Sequence, residues 1–241
     1  MLMNKGKTLP GWRDFERAVA VALDGIGPEN KGVFDVFVTN PKVQGRIGLS
    51  CKMKEELNRI DKDGRVYLEL NNANKAFRSH LAELGILELE YRSRAAEVGP
   101  ELIRVIEQIR GREAKAAKNS IALESSYYLV LLWSKSNKYQ IYQFPLKIPD
   151  VSTVRWHSGP DDRSPRKCIV GEETREGQKA TLFEWYYNAG QFKYYPHRER
   201  SVWRSEVFGL EALPATVETE NVIRLKTIKY FPDAWSVASS P

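Results

Sequence analysis

The chain has 241 residues, enough for one large domain, and its 42% hydrophobic and 28% charged residues are ordinary for a soluble globular protein. Lys and Arg outnumber Asp and Glu by 37 to 31, and the resulting net charge of +6 favours a polyanionic partner whose phosphates these side chains neutralise. No signal peptide is visible and no apolar run approaches the roughly 18 residues that span a bilayer, so we expect a cytoplasmic protein and exclude a membrane protein.

Helical and strand patterns alternate in the first third of the chain. Apolar residues at helical spacing predict a first helix over 11–23, which glycines and a proline end. β-branched and aromatic residues predict strands over 33–39 and 46–53. An Asp-Gly turn precedes a short strand at about 65–70, and an apolar face predicts a helix over 71–84.

Strands dominate the rest of the chain, after one more helix over 100–118 that Pro100 is predicted to open. Two hairpins are predicted, whose strands cover 126–134 with 138–146 and 182–187 with 191–196. A last short strand is predicted near 222–225. This order of elements predicts an α/β fold with a mixed sheet.

The first two predicted strands carry residues suited to phosphodiester chemistry. Asp35 lies on one strand, and Lys52 lies on the next, two positions after Ser50. A carboxylate is a ligand that Mg²⁺ prefers, and a nearby lysine orients water or stabilises the charge that develops on a phosphate. If the strands are adjacent, the two side chains meet at one edge of the sheet.

This pattern resembles the PD-(D/E)xK motif of a nuclease superfamily that includes the type II restriction endonucleases. Asp35 matches the first acid and Lys52 the lysine, whereas Ser50 stands where the motif has its second acid. The resemblance covers about residues 11–85. It implies a restriction-endonuclease-like core with a central mixed β-sheet flanked by helices, and additional β-hairpins in the C-terminal half. It also implies Mg²⁺-dependent, sequence-specific hydrolysis of double-stranded DNA by a homodimer.

The resemblance also implies where the missing acid is found. Some restriction endonucleases with Ser-x-Lys take it from a later helix, which points to Glu69, whereas many superfamily members carry a glutamate on the first helix, which points to Glu16. Both acids stay candidate catalytic and metal-binding residues beside Asp35 and Lys52. Cys51 would offer its backbone carbonyl to the metal.

Candidate DNA contacts lie on both sides of this centre. Lys54 and Arg78 are close to it in sequence and suit phosphate contacts, since lysine and arginine bind phosphate oxygens. Asparagines are poor helix formers, so a run of them at the start of the predicted 71–84 helix suggests contacts to the DNA backbone. The loop over 155–168 and the basic segment after 193 add further candidates. The full set is Lys54, Asn71, Asn72, Asn74, Arg78, Arg163, Arg166, Lys167, Arg198 and Arg200.

We expect a single nuclease domain over 1–241, with a catalytic core over about 11–145 and a hairpin region over 146–241 that recognises DNA. Two alternatives stay open: a repair or recombination nuclease of the same fold, and a non-catalytic DNA-binding protein whose nuclease core has decayed. The sequence lacks GxSxG, P-loop and GxGxxG motifs, and its scattered cysteines and histidines argue against a zinc site or a disulfide framework.

Overall fold

The computed structural model describes residues 11–27, 32–70, 73–116, 120–159 and 168–210, together with the backbone of 2–4 and 7–9. In these ranges the α-helices are α1 (Trp12–Ala22), α2 (Leu57–Asp63), α3 (Asn74–Glu83) and α4 (Ala95–Ala116). The strands are β1 (Leu2–Asn4), β2 (Lys7–Leu9), β3 (Val36–Thr39), β4 (Arg46–Lys54), β5 (Leu68–Leu70), β6 (Tyr127–Trp133), β7 (Lys138–Pro145), β8 (Arg155–Ser158), β9 (Cys168–Arg175), β10 (Gln178–Tyr186), β11 (Gln191–Tyr194), β12 (Trp203–Arg204) and β13 (Phe208–Gly209).

The first large sheet is mixed. Its strands follow the order β12-β7-β6-β4-β3, and β13 also pairs with β7. β4 and β6 are parallel, and the other pairs are antiparallel. The chain therefore has an α/β fold in which a sheet of parallel and antiparallel strands is flanked by helices.

The second large sheet is antiparallel and has the order β5-β11-β10-β9-β8. Its buried face is aromatic: Phe183 and Trp185 of β10 are fully buried, as is Phe192 of β11. These rings pack against one another at centroid distances such as the 5.8 Å between Phe183 and Phe192. The hairpin predicted over 182–196 is thus confirmed, and its largest rings belong to the core.

Two apolar clusters hold the layers together. On one face of the mixed sheet, Phe15 and Val19 of α1 pack against Leu49 and Cys51 of β4. On the other face, residues such as Tyr128 of β6 share a larger cluster with α4, α3 and the second sheet. Since successive residues of a strand face opposite sides, Ser50 and Lys52 face the larger cluster.

The helices differ from prediction in two places. α4 begins at Ala95, so the expectation that Pro100 opens it is wrong; the proline lies in its second turn. Proline there removes one helical hydrogen bond, and the burial of Val98 and Leu102 on either side of it outweighs that loss. α2 was not predicted, because Asp63 and Gly64 were interpreted as a hairpin turn. Gly64 instead ends α2 in the left-handed region, at φ 65°.

The strands of the second sheet were predicted only in part. β8 and β9 were missed, and the expectation of a surface loop over 155–168 is wrong for its first residues, because Arg155–Ser158 pairs with β9. Residues 160–167 and the strand predicted near 222–225 lie outside the described residues. Within the described part of the chain, none of the helices has the length and apolar character needed to cross a membrane.

Candidate functional site

Asp35 and Lys52 lie next to each other in the mixed sheet, at the neighbouring strands β3 and β4. Asp35 directly precedes β3, and its N–H donates to the carbonyl of Leu49 on β4 at 2.8 Å. The Lys52 Nζ lies 3.9 Å from Asp35 Oδ2, and each side chain is about a quarter exposed, at 25% and 24%. The structure therefore brings together the two residues that carried the sequence argument.

The Asp35 carboxylate is held by neighbouring groups of β4. The Cys51 N–H donates to Asp35 Oδ2 at 2.7 Å, and the Ser50 hydroxyl also hydrogen-bonds this carboxylate. Burial raises the pKa of Asp35 above its ordinary value, because desolvation outweighs the lowering by Lys52, Cys51 and Ser50. The charged form of Asp35 is thus under-compensated, which is the state that a bound cation would relieve.

Ser50, which stands in the place of the motif's second acid, is 2% exposed. Its register partner on the parallel strand β6 is Tyr128, and both side chains line a small pocket beside Lys52. A hydroxyl at this position satisfies Asp35 without adding a second negative charge. At this position Asp35 therefore has a neutral hydrogen-bond donor as its neighbour, where the motif would place a second carboxylate.

Glu69 reaches the same pocket from the second sheet. It lies on β5 and lines the pocket together with Lys52 and Ser50. Its Oε2 accepts a hydrogen bond from Lys54 Nζ at 3.3 Å and from the Tyr67 hydroxyl at 3.4 Å. Of the two acids proposed to replace the one missing at Ser50, Glu69 is thus at the rim of the pocket and is held there by Lys54.

Glu16 lies on α1, on the opposite face of the mixed sheet. Burial raises the pKa of the Cys51 thiol, and the charges of Asp35 and Glu16 raise it further. Glu16 is therefore near enough to Cys51 to raise the pKa of its thiol, and it lies on the side of the sheet that this thiol faces. An extended residue directs its N–H and C=O to the same side of the strand, so the Cys51 carbonyl is directed to the edge at which Asp35 lies.

The fit of this centre to Mg²⁺ depends on its oxygen donors. In the described ranges, no three His, Cys, Asp or Glu side chains form a group that could hold a metal ion. Mg²⁺ does not require such a cage, because it keeps several waters and is commonly bound through one or two carboxylates together with substrate phosphates. The Asp35 carboxylate and the Cys51 carbonyl are donors of this kind, and Glu69 in the lining of the adjacent pocket is another, so the chemistry of these donors fits a hydrated ion.

The predicted DNA contacts on α3 have partners within the protein. Asn74 donates to the Tyr187 carbonyl at 3.3 Å, and Arg78 donates to the same carbonyl at 3.0 Å. Arg78 also forms an ion pair with Glu88 at 2.7 Å. Both side chains thus attach α3 to the β10–β11 hairpin.

The other predicted contacts are further from the centre. Arg200 pairs with Glu173, which also binds Arg65 at 2.9 Å, and the Arg198 N–H donates to the Gly64 carbonyl at 2.7 Å. Those that lie outside the described residues are Asn71, Asn72, Arg163, Arg166 and Lys167.

Two polar residues of the pocket were not predicted from the sequence. Arg110 of α4 and Tyr128 of β6 line it, and both are buried, at 5% and 3% exposed. The Arg110 guanidinium donates to the Tyr128 hydroxyl and to the Leu146 carbonyl. The sequence does hold a signal for this arginine, because it follows Ile106 by one helical turn on the apolar face of α4.

Comparisons of the chain with protein-family models, with curated proteins and with solved structures found no match. A function for this protein is therefore argued from its own side chains.

Proposed function

We propose that this protein is a Mg²⁺-dependent endonuclease that hydrolyses phosphodiester bonds of double-stranded DNA, with a restriction-endonuclease-like core. The observation that carries the proposal is the desolvated Asp35 carboxylate with the Lys52 ammonium 3.9 Å away. A carboxylate that can hold a metal ion, with a lysine of the neighbouring strand beside it, is an arrangement that suits metal-assisted phosphodiester hydrolysis.

The surrounding fold supports this assignment. Asp35 directly precedes β3, and this strand pairs with β4, which carries Lys52. The sheet continues from β4 to the parallel strand β6, and helices cover both faces. α1 packs on β4, and the charge of its Glu16 acts on the thiol of Cys51, whose N–H binds Asp35. These are the relations expected of the superfamily's core.

Each side chain has a role that its position allows. Asp35 would hold the metal, together with Glu69 or Glu16 and the Cys51 carbonyl, and a bound ion would stabilise the charge that develops on the phosphate. Lys52 has three N–H donors at Nζ, with which it orients the attacking water and faces the developing charge. Ser50 keeps Asp35 in position through its hydrogen bond.

The test is cleavage of plasmid and phage DNA with Mg²⁺, using EDTA as the metal-free control. We expect cleavage by the wild type and a loss of about 100-fold or more in Asp35→Asn and Lys52→Ala. Lys135→Ala is the matched control, because that lysine is 86% exposed and lies away from the pocket. Cleavage that survives both substitutions at the centre would place the active site elsewhere.

The pattern of fragments separates the kinds of nuclease. Discrete fragments support a site-specific enzyme, and cuts in both strands of a palindromic site support a homodimer whose two centres are related by a two-fold axis. Fragments without defined ends support a repair or recombination nuclease instead.

A second candidate is a non-catalytic DNA-binding protein. Two observations favour it: Ser50 replaces the second acid, and the described residues hold no ready-made group of three metal-binding side chains. In the same assay this candidate predicts that the wild type retards DNA on a gel and leaves it intact with Mg²⁺. The two candidates therefore give opposite results in one experiment.

A further inference from the structure

The pocket beside Asp35 has a buried arginine in its wall. Arg110 is 5% exposed, and it lines the pocket with Ser50, Lys52 and Tyr128. These four residues belong to α4, β4 and β6, so the packing of α4 on the mixed sheet assembles them. Their side chains carry a guanidinium, an ammonium and two hydroxyl groups.

Among the described residues, Arg110 has no counter-ion of the kind that a buried arginine normally has. Its bonds go to the Leu146 carbonyl and the Tyr128 hydroxyl, both neutral, and no carboxylate of the described residues lies within ion-pair distance. Arg65, which is 8% exposed, shows the contrast, because it pairs with Glu173 at 2.9 Å. Buried charges are normally paired, so within the described part of the chain the positive charge in the wall of this pocket is not balanced by a direct ion pair.

The acids near the pocket leave this charge in place. Glu69, which also lines it, is paired with Lys54, and Asp35 is paired with Lys52. The two Arg110 bonds use two of the five N–H donors of a guanidinium, so donors are left for a ligand. A guanidinium binds phosphate oxygens through parallel N–H donors, which makes a phosphate group a suitable occupant.

We propose that Arg110, Tyr128 and Lys52 form a phosphate-binding pocket, and that it receives a backbone phosphate of DNA next to the bond that is hydrolysed. That this phosphate belongs to DNA rests on the proposed function. That the pocket prefers a phosphate oxyanion does not depend on the proposed function. Tyr128 positions the guanidinium by accepting one of its hydrogen bonds. Lys52 belongs both to this pocket and to the candidate catalytic pair.

The test is equilibrium binding of a short DNA duplex in EDTA, over a range of KCl concentrations, so that hydrolysis does not enter. For Arg110→Met we expect about tenfold weaker binding, and a slope of log affinity against log salt that is reduced by about one. Arg104→Met is the matched control, because Arg104 lies on the same helix but is exposed and paired with Glu101. It should leave the slope unchanged.

Arg110→Lys covers the case in which the methionine variant fails to fold. It keeps the charge and loses the paired donors, so we expect an unchanged salt slope and a loss in affinity of a few-fold. Thermal unfolding with inorganic phosphate, against chloride at equal ionic strength, is a second probe. Phosphate should stabilise the wild type, and should stabilise Arg110→Lys less.

The outcomes separate this inference from the proposed function. If folded Arg110 variants bind DNA with the affinity and salt slope of the wild type and respond equally to phosphate, the pocket is not a phosphate site, whether or not the wild type cuts DNA. If phosphate stabilises the wild type through Arg110 but the duplex binds equally to all variants, a free phosphate or mononucleotide is the ligand, and the assignment to the DNA backbone is overturned. If DNA binding depends on Arg110 but Mg²⁺ produces no cleavage, the phosphate-binding pocket is supported and the proposed nuclease activity is refuted.

Discussion

Replacing Lys54 by methionine should strengthen Mg²⁺ binding if Glu69 is a metal ligand. In the structure Lys54 Nζ holds Glu69 Oε2 at 3.3 Å and lies 4.5 Å from the centre of the Tyr67 ring. A metal ion that recruits Glu69 must first separate this ion pair. Methionine removes the charge and keeps an unbranched apolar chain over the tyrosine ring, so the packing changes little.

The size of the effect follows from the exposure of the pair. Lys54 and Glu69 are 26% and 40% exposed, so the pair belongs with solvent-screened ion pairs, which contribute about 0.2–1 kcal/mol. One kcal/mol corresponds to about a fivefold change in a dissociation constant. We therefore expect Lys54→Met to tighten Mg²⁺ binding by up to about fivefold, measured by titration calorimetry.

A double-mutant cycle isolates the contact from the general loss of a positive charge. In the Glu69→Gln background, Lys54→Met should tighten binding only by the long-range contribution of the lost charge. Lys193→Met estimates that contribution independently, because Lys193 lies opposite Glu69 in register but places its ammonium over the rings of Tyr67 and Tyr186. Equal effects of Lys54→Met in both backgrounds would refute the role of Glu69 as a ligand and leave Glu16 as the second acid.

Two further predictions concern stability. Burial raises the folded-state pKa of Asp35 above its unfolded value, so the stability that this carboxyl contributes is present below the unfolded pKa and is lost as pH rises through the folded pKa. In EDTA, Asp35→Asn should therefore be more stable than the wild type at pH 7, as measured by urea unfolding. This gain should disappear below about pH 4, the ordinary pKa of aspartate. A variant that is less stable than the wild type at pH 7 would contradict the expected direction of the effect. Gly99 and Gly111 both lie in α4, where replacing glycine by alanine normally stabilises the fold by about 0.5–1 kcal/mol. A Cβ at Gly99 would collide with the Trp156 indole, whereas nothing lies within 4 Å of a Cβ at Gly111. Gly111→Ala should raise the free energy of unfolding by that amount, and Gly99→Ala should lower it, because overpacking costs about 1–3 kcal/mol; changes of the same sign in thermal unfolding would refute this packing argument.

Local patterns were sufficient for many of the elements. The spacing of Phe15 and Val19 predicted α1, and the two predicted hairpins are confirmed as β6–β7 and β10–β11. Each of these elements is specified by a short window of sequence. The proximity of Asp35 and Lys52 could be anticipated too, because neighbouring strands joined by a short connection commonly pair.

The missed strands lack a local signal. β9 contains Gly171 in its interior and then charged residues, a composition that is unusual for a strand. Gly171 is needed because Trp156 of β8 packs on it, and an added Cβ would lie 2.8 Å from that ring. Glu173 is buried because Arg65 and Arg200 bind it. Both reasons are tertiary contacts that the segment itself does not disclose.

The same limit applies to the pocket. Arg110, Tyr128 and Glu69 meet only because α4 and the second sheet pack on one face of β4. Sequence spacing indicated that Arg110 lies on the apolar face of its helix, but it could not indicate which strand that face covers. The ion pair of Lys54 with Glu69 likewise could not be predicted from the sequence, because the Glu69 strand β5 belongs to a different sheet.

The serine at the motif's second acid changes how such a centre must work. A carboxylate at Ser50 would be buried within reach of Asp35, and two like charges in one desolvated site raise the pKa of at least one of them. With serine there, the metal-free centre holds one desolvated carboxylate, Asp35, beside Lys52. The second acid must then come from a place where it is stable without metal, and Glu69 satisfies this condition because solvent and Lys54 stabilise its charge. If Glu69 is a metal ligand, the binding of Mg²⁺ requires Glu69 to exchange Lys54 for the metal, and the Lys54 double-mutant cycle is the measurement that detects this exchange directly.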